Sequence, residues 1–440
     1  MSTILDFPVK PETRAYLDAF GSGAAAPEPG WLVQLRRRGI DRFGELGFPT
    51  RRDENWRYFD LRSLAEKPRL PAVPHATDEG AEAQFADLDL DRSAYRLVFV
   101  DACFSPVFTG ENRLLEGAWL GPISAALIER PELVHRALAD DEDDAFAALN
   151  AAFFTDGFVL DLGPGIVLDR PVEIVHLATG SAEGSLHTRS LIRLAADSRA
   201  SVIETFAGPA AGAYWRNDIV DISLGEAAAL DRHLVVEEAA DAVHSGLTRA
   251  VLGSAAHLVS FALLLGGGRV RQEMRADLAG EGARCRLDGA FIVGGRDEAN
   301  IVATVDHRAP GGQTRELVKG VAAGRGHGAF QGRITVREGA QRTDAQQTTR
   351  NLIIGRRAVI DTKPELDIYA DDVKCAHGAT VGDLDEAALF YLRARGIPED
   401  EARRLLIEGF LREAVERVAE PALRERLLRR LARRLAALEA

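Results

Sequence analysis

The stretch SLGEAAAL, residues 223–230, is one of four similar turns that follow one another along the chain. The other three are AADSRASV at 195–202, VLGSAAHL at 251–258 and LAGEGARC at 278–285. Their shared alanines stand at positions 200, 228, 256 and 283, so the spacings are 28, 28 and 27 residues. A turn that recurs at so regular a period is typical of a solenoid, in which each coil buries its inner face against its neighbours.

The residues around these turns favour β-strands. From Gly157 to about Ile368, short runs such as PVEIVHLA and DIVDISL are separated by small turn-forming clusters. So long a series of strands without intervening helices excludes a doubly wound α/β sheet. We therefore predict a mainly β protein with a β-helix (solenoid) core. A large β-sandwich is the alternative, although a sandwich would not need the turn to repeat.

Helical patterns flank the strand region on both sides. Residues 31–47 place apolar side chains on one side of a helix, and a helical pattern returns over 121–154. Residues 68–92 are rich in proline, alanine and acidic residues, which predicts a linker or an extended wrap. The predicted divisions are an N-terminal helical or extended region at 1–94, a β-helix core at 95–380 with a helical insertion at about 121–154, and a C-terminal helical domain at 381–440.

One of the C-terminal helices carries an apolar stripe. Its first turn is acidic, as the helix dipole favours. The stripe consists of Ala402, Leu405, Leu406, Gly409 and Phe410, at positions i, i+3, i+4, i+7 and i+8. The pattern predicts a packed surface, and it leaves open whether the solenoid or another protein covers it.

Composition and charge narrow the classes of function. The chain has 54 Lys and Arg against 67 Asp and Glu, a net charge of −13, which argues against general nucleic-acid binding. We expect neither a signal peptide nor a transmembrane helix, because no basic start precedes an apolar run and no long apolar window occurs. The three cysteines, Cys103, Cys285 and Cys375, lie far apart, which fits a reducing compartment. We therefore expect a soluble, cytoplasmic protein without membrane or nucleic-acid partners.

Common catalytic and nucleotide-binding motifs are absent from the sequence. It contains no G-x-x-x-x-G-K-[ST], no G-x-S-x-G and no H-E-x-x-H, and its glycine-rich stretches lie among strands rather than at the start of a helix. Some β-helix enzymes cleave polysaccharides with acidic clusters, but most of these are exported. We therefore expect no enzymatic activity, and a β-helix carbohydrate-active enzyme is the remote alternative.

The stretch KCAHGATVG, residues 374–382, holds the best candidate for metal chemistry. On a strand, Cys375 and His377 would point to the same face, and thiolate and imidazole suit zinc or iron–sulfur chemistry. Two ligands fall short of the usual four, so others would come from elsewhere in the chain or from a second chain. The alternative is that Cys375 is a small buried residue beside a structural histidine. The spacing alone leaves both interpretations open.

Several of the ten histidines lie in or beside the strand region. We interpret His233, His244 and His257 as hydrogen-bonded structural residues. His307 and His327 are somewhat better candidates for function, because they lie nearer in sequence to the Cys375 stretch.

Residues 328–397 resemble the C-terminal core of the SufB/SufD family of iron–sulfur cluster assembly scaffolds. The resemblance rests on VREGAQRTDAQQ, IDTKPELDIYADDVKCAHGA and LFYLRARGI, with weaker agreement at FPTRRDENWRY and LNAAFFTDGF. Within the family the chain resembles the SufD branch. Gly378 stands where the SufB branch has a glutamate, and residues 346–351 lack that branch's scaffold cysteine. A SufB-type primary cluster scaffold is the alternative.

The resemblance implies a right-handed parallel β-helix in a cytoplasmic complex with SufB and two copies of the ATPase SufC. It implies pairing with SufB through the β-helix and docking of SufC on the C-terminal helices, where Leu405, Leu406 and Phe410 are the candidate residues. His377 and Cys375 would bind a transient iron or iron–sulfur cluster shared with SufB, with no cofactor held stably. ATP hydrolysis by SufC would open the interface. A homodimer is the alternative when the partners are absent.

Overall fold

The computed structural model describes residues 10–22, 28–72, 80–138, 144–179 and 184–438. Its α-helices are α1 (Pro11–Ser22), α2 (Gly30–Leu46), α3 (Arg62–Glu66), α4 (Ala81–Asp87), α5 (Ile123–Glu129), α6 (Pro131–Ala137), α7 (Ala145–Phe153), α8 (Glu386–Arg393), α9 (Glu399–Val415) and α10 (Pro421–Leu438). Its strands are β1 (Tyr95–Val100), β2 (Cys103–Phe104), β3 (Ala118–Pro122), β4 (Phe158–Leu162), β5 (Val172–Leu177), β6 (Ser185–Leu194), β7 (Arg199–Ala207), β8 (Trp215–Leu224), β9 (Ala229–Glu237), β10 (Val243–Leu252), β11 (His257–Leu264), β12 (Arg269–Leu278), β13 (Arg284–Val293), β14 (Glu298–His307), β15 (Gln313–Ala323), β16 (His327–Val336), β17 (Asp344–Ile354), β18 (Val359–Ile368) and β19 (Lys374–Gly382).

The strands form a parallel solenoid of about eight coils. From β4 onward, successive strands alternate between two sheets, so each coil gives one strand to each sheet. Sheet I has the order β19-β17-β15-β13-β11-β9-β7-β5-β1-β2, and sheet II has the order β18-β16-β14-β12-β10-β8-β6-β4-β3. Only the β1–β2 and β3–β4 pairs of these sheets are antiparallel. The predicted mainly β solenoid with flanking helices is therefore confirmed.

The predicted turns stack at one corner of the coil. In each, one residue adopts the left-handed backbone conformation, namely Asp197, Ala227, Ala255 and Gly282. Backbone hydrogen bonds join successive turns, since the N–H of Ala227 donates to the carbonyl of Ser254 and the N–H of Ala255 to that of Glu281. This stacking leaves room for only a small side chain at the next position, where Ala228 and Ala256 are completely buried.

The first of the four turns does not align as the sequence suggests. Arg199 pairs with Ala229, so the counterpart of Ala228 is Ser198 and not Ala200. The buried position is the one directly after the left-handed residue, and Ser198 fills it with its hydroxyl bonded to the Ala195 carbonyl. The period is therefore real, but its first interval is longer than the alanines indicate.

N-terminal helices pack on the outer face of sheet II. Helix α7 lies between α2 and strands β6 and β8. Asn150 of α7 anchors it, because the side-chain amide donates to the backbone carbonyls of Thr188 and Asn217, each at 2.9 Å. The helical pattern predicted over 121–154 corresponds to α5, α6 and α7.

A segment after α2 runs along sheet II to the last coil. Trp56 packs under the guanidinium of Arg271 at 4.0 Å from the ring centroid. The carboxylate of Glu54 accepts hydrogen bonds from Arg333 on β16 and Lys363 on β18. This segment therefore links the N-terminal region to the strands at the far end of the solenoid.

The prediction of a linker or extended wrap over 68–92 is wrong in part, because this range contains helix α4. Phe85 and Leu88 of this region pack against a cluster that includes Val98 and Val175 of sheet I. These apolar side chains give α4 a surface to bury, which the proline-rich and acidic composition concealed. Residues 73–79 of the range lie outside the described residues.

The C-terminal helices α9 and α10 pack along the outer face of sheet I. Leu411, Leu427 and Leu431 of these helices belong to one buried cluster with Phe261 and Ile292 of the sheet. Burial of this face removes a large apolar area from water, and this burial fixes the helices to the solenoid. None of the helices that the structure describes is long and apolar enough to span a membrane.

Candidate functional site

The last coil of the solenoid is open. Strands β18 and β19 are the outermost strands of their sheets at this end. All six residues of β5 are buried, whereas β18 is mostly half-buried and β19 is almost wholly exposed. The difference arises because each inner coil is covered by a neighbour on both sides, and the last coil has a neighbour on one side only.

Cys375 and His377 share the inward face of β19. In sheet I, Ala345 pairs with Cys375 and Gln347 pairs with His377. Ala345 and Gln347 are buried, and paired residues of neighbouring parallel strands point to the same face. The thiol and the imidazole therefore share one face, as their spacing predicts. Cys375 is half-buried against the solenoid core, and His377 is exposed at the opening.

The local environment keeps Cys375 a thiol rather than a thiolate. Burial raises the pKa of Cys375, the backbone hydrogen bond of Ala345 opposes this effect, and the negative charge of Asp344 adds to it. A metal ion bound there would have to displace the thiol proton. No three His, Cys, Asp or Glu side chains of the described residues are grouped so that they could hold a metal ion. Cys375 and His377 thus form an incomplete ligand set.

Apolar side chains surround the open end. Val359 and Ile368 of β18, the adjacent Tyr369, and Val381 of β19 are all exposed, with Tyr369 at 63%. Exposed strand edges present unpaired backbone groups that can pair with another chain. Apolar side chains beside such edges strengthen that tendency. The open end therefore has the character of a contact surface.

The predicted apolar stripe of α9 divides between two environments. Leu406 and Phe410 pack against the cluster between the helices and sheet I. The ammonium of Lys319 donates to the Phe410 carbonyl at 2.9 Å and lies 4.1 Å from its ring centroid. Leu405 is 43% exposed. The buried face of α9 is centred one position further along the helix, on Ala402, Ile407, Leu411, Ala414 and Val415.

Helix α8 adds two exposed aromatic residues that the sequence analysis missed. Phe390 is 72% exposed and Tyr391 is 55% exposed, while Leu389 is buried. Helices α8 and α9 contact each other, so together they present the α8–α9 surface, which we define as Phe390, Tyr391 and Leu405. The stretch ALFYL could have revealed it, because one short helix cannot bury all of these apolar side chains on a single face.

Two of the other candidate histidines have hydrogen-bond partners in the structure. His307 Nε2 lies 2.8 Å from the Thr314 hydroxyl, and His327 Nε2 lies 2.7 Å from the Asp361 carboxylate. His257 is exposed on β11, several coils before the open end. None of these three is part of the inward face of β19, so the greater interest given to His307 and His327 gains no structural support.

Sequence reasoning also missed a buried charged cluster inside the solenoid. Glu238 accepts hydrogen bonds from Tyr214 Oη at 2.5 Å and Arg216 Nε at 2.6 Å, and His244 Nδ1 lies 3.1 Å away. Burial alone would raise the pKa of Glu238, but Arg216 and His244 outweigh it and lower the pKa to about 2. Arg216 and His244 occupy inward positions of their strands. Because alternate residues of a strand point to the same face, the sequence indicates these positions once the inward face is known.

A groove of about 830 Å³ lies between α6 and the outer face of sheet II. Its lining is mostly apolar, and Arg193 and Arg249 at its margin are paired with Asp161 and Asp221. The groove lies on the first coils, so it contributes nothing to the open end.

These features define a class of protein: a parallel β-solenoid closed at one end, open at the other and covered by helices on the outer faces of both sheets. Residues 176–410 match the family model described as "SUF system FeS cluster assembly, SufBD core domain". Residues 22–174 match the model described as "SufBD protein N-terminal region". The chain belongs to the SufBD family of the SUF system for iron–sulfur cluster assembly.

Individual relatives cover nearly the whole chain. SufD of Escherichia coli is 29% identical over 392 residues, 88% of this chain and 90% of that protein. An iron–sulfur cluster assembly SufBD family protein of Synechocystis is 28% identical over 410 residues, 90% of this chain and 89% of that protein. SufD of Bacillus subtilis is 25% identical over 417 residues, 91% and 93% of the two chains.

Proposed function

We propose that this chain is a SufD-type, non-catalytic scaffold subunit of a cytoplasmic SUF complex that pairs with SufB and binds SufC. The observation that carries the proposal is the open last coil, with Cys375 and His377 on its inward face and exposed apolar side chains around it. The similarity to SufD of two bacteria supports the SufD branch. Membership of the SufBD family leaves the carbohydrate-enzyme alternative without support.

In this proposal the incomplete ligand set is completed by SufB. Its β-helix would cover β18 and β19, and its own donors would join His377 and Cys375 around the nascent iron or iron–sulfur cluster. The cluster is cargo that passes through the interface and is not a resident cofactor. Ligation by two chains makes release simple, because separating the chains removes part of the ligand set.

The C-terminal helices give the ATPase a route to the cluster ligands. They pack on sheet I, whose edge strand β19 carries Cys375 and His377. Lys319 of β15 is almost completely buried and binds both the Phe410 carbonyl and the Glu413 carboxylate. Movement of α9 by SufC would therefore act directly on sheet I. The α8–α9 surface holds the large exposed apolar residues of these helices, so it is the part that we propose receives SufC.

A cytoplasmic location forms part of the proposal. Cys103, Cys285 and Cys375 are all unpaired thiols in the structure. Burial raises the pKa of Cys285 and of Cys103, which leaves both thiols unreactive. Three cysteines without a disulfide fit a reducing compartment.

The His377→Ala variant tests the ligand role. Co-expressed with SufB and SufC, it should form the complex in normal amounts but accumulate at least about tenfold less iron and sulfide, because an interface ligand is missing. His257→Ala is the matched control, since it removes another exposed histidine from sheet I. Normal iron and sulfide content in the His377→Ala complex would show that His377 is not a cluster ligand.

Binding of SufC by variants tests whether the α8–α9 surface is the docking site. We expect Phe390→Ala combined with Leu405→Ala to weaken capture of SufC about tenfold or more, because large exposed apolar residues commonly dominate binding, while thermal unfolding stays unchanged. Phe410→Ala should do the reverse, destabilising the chain because its side chain packs against sheet I. Titration of SufC measures the affinity of each variant, and thermal unfolding measures its stability. Unchanged SufC affinity of the double variant would move the docking site elsewhere.

A further inference from the structure

The imidazole of His377 has no hydrogen-bond partner among the residues that the structure describes. A histidine that binds a metal through one ring nitrogen almost always donates its other ring N–H to an oxygen acceptor. This second contact fixes the tautomer and the orientation of the ring. If His377 acts as a ligand, the chain must supply such an acceptor close to β19.

Gln347 is the residue beside His377 on the inward face. The two are paired in the parallel register of β17 and β19, and neighbouring strands lie about 4.8 Å apart. Gln347 is 1% exposed. Its amide oxygen Oε1 is buried and has no hydrogen-bond partner in the described part of the chain. A buried acceptor left unpaired loses its hydration without a replacement hydrogen bond, so its lack of a partner calls for an explanation.

Glu316 fixes the direction of the Gln347 amide. Gln347 Nε2 donates to Glu316 Oε2 at 2.7 Å, one strand further into the solenoid. In the structure the NH₂ edge of the amide therefore faces Glu316, which is its acceptor. Oε1 is then the edge left for another donor.

Gly332 makes this placement possible. A Cβ atom at position 332 would lie 2.0 Å from Gln347 Nε2, a distance that no real structure tolerates. Every side chain other than hydrogen would therefore push the amide away from Glu316. The glycine, the glutamate and the glutamine together orient the amide and leave Oε1 without a partner, on the residue that pairs with His377.

We infer that Gln347 is the positioning residue for His377: its Oε1 accepts the N–H of the imidazole and leaves the other ring nitrogen free for iron. Glu316 acts through Gln347 by holding the amide in the required orientation. The inference rests on the proposed ligand role of His377, but its first test does not depend on cluster assembly.

The first test is ring-nitrogen NMR of the full-length chain with ¹⁵N-labelled histidine, with His377 assigned by the loss of its signals in His377→Ala. In the wild type we expect one protonated and one unprotonated nitrogen with well-separated shifts. Gln347→Met keeps the side-chain length but removes the acceptor, so the shifts should move toward those of a freely exchanging histidine. Gln346→Met is the matched control, because Gln346 is exposed on the same strand.

The second test restores the acceptor by a swap. Gln347→Met should lower iron and sulfide in the co-expressed complex about tenfold, the usual effect of losing a partner of a ligating histidine. Glu316→Gln combined with Gln347→Glu reverses the pair and places a carboxylate oxygen beside His377. We expect this double variant to recover both the cluster content and the fixed tautomer.

The two tests separate this inference from the proposed function. His377 ring shifts that are the same in the wild type and in Gln347→Met overturn the positioning role, whatever His377 does in assembly. A complex of His377→Ala with normal cluster content overturns the proposed function instead. Thermal unfolding of Gln347→Met shows whether a lower cluster content reflects misfolding, and the ring shifts decide the inference in either case.

Discussion

The two ends of the solenoid differ in how their terminal strands are covered. At the first end, β4 and β5 are buried along their whole length, with antiparallel β3 beside β4, parallel β1 beside β5, and helices α5 and α4 in contact with them. At the last end, β19 is almost wholly exposed. Terminal coils of a solenoid need a cap, because each coil can bury its face only on a neighbour. The difference teaches that this chain caps its first coil, whereas none of the described residues covers the last one.

Two buried glutamates, one in the middle of the solenoid and one near its open end, differ in the direction of their pKa shifts. Glu238, among the middle coils, is held as a carboxylate by Arg216 and His244, which outweigh burial and lower its pKa to about 2. Glu316 lies near the open end, where burial raises its pKa to about 7 and the hydrogen bond from Gln347 only partly opposes this rise. In the middle of the solenoid the carboxylate of Glu238 has charged partners. Near the open end the carboxyl of Glu316 has the neutral amide of Gln347 as its hydrogen-bond partner.

Of the substitutions compared here, we expect Glu238→Gln to lower the free energy of unfolding the most. It leaves Arg216 buried without its carboxylate, which typically costs about 3–5 kcal/mol of unfolding free energy. Because the pKa of Glu238 falls from 4.5 to about 2 on folding, its contribution is present above pH 4.5 and is lost as the pH falls toward 2. Urea unfolding at pH 7 and pH 3 measures both effects. A variant as stable as the wild type at pH 7 would contradict the role of the cluster.

Leu160→Ala and Val381→Ala compare the two ends directly. Leu160 of β4 is completely buried, so its truncation should cost about 3 kcal/mol through lost burial and an added cavity. Val381 of β19 is exposed, so its truncation should change stability by less than about 0.5 kcal/mol. Chemical unfolding of the isolated chain checks both values. A large loss for Val381→Ala would mean that the last coil is covered within this chain.

Glu316→Gln should have a smaller effect on stability, and it should stabilise the chain at high pH rather than destabilise it. Because folding raises the pKa of Glu316 from 4.5 to about 7, its contribution to stability is present below pH 4.5 and is lost as the pH rises through 7. The neutral glutamine removes that loss, so the variant should gain on the order of 2 kcal/mol over the wild type at pH 8. Thermal unfolding from pH 5 to 8 tests this, with Glu281→Gln as the exposed control. A wild-type stability that does not fall across that range would show that Glu316 is ionised without penalty.

Much of the fold could be predicted from the sequence because its evidence is local and repeated. Stacked turns need small side chains at every coil, and the alanines 228, 256 and 283 record that need. The first turn misled because Ser198 serves as well as alanine at the buried position. Helix α4 was missed because its burial depends on Phe85 meeting sheet I, a contact between segments that no local pattern contains.

The candidate site was only partly predictable. The spacing of Cys375 and His377 placed both on one face of a strand, since alternation is a local property of β-structure. The partnership of Gln347 and Glu316 depends on the register between coils, which the sequence does not display. The stripe of α9 was one position out of phase. Leu405, Leu406 and Ile407 are consecutive apolar residues and allow two helix faces, and only contact with sheet I decides between them.

The open strand edges also bear on how much of this chain a cell can make. Two unpaired parallel edges beside exposed Tyr369 and Val381 form a template that adds strands from any chain able to supply them. A chain produced in excess of its partner would join copies of itself at this end and would be prone to aggregation. If a partner covers this end as proposed, matched synthesis of the two chains follows from the architecture, because copies left without the partner would be lost to aggregation.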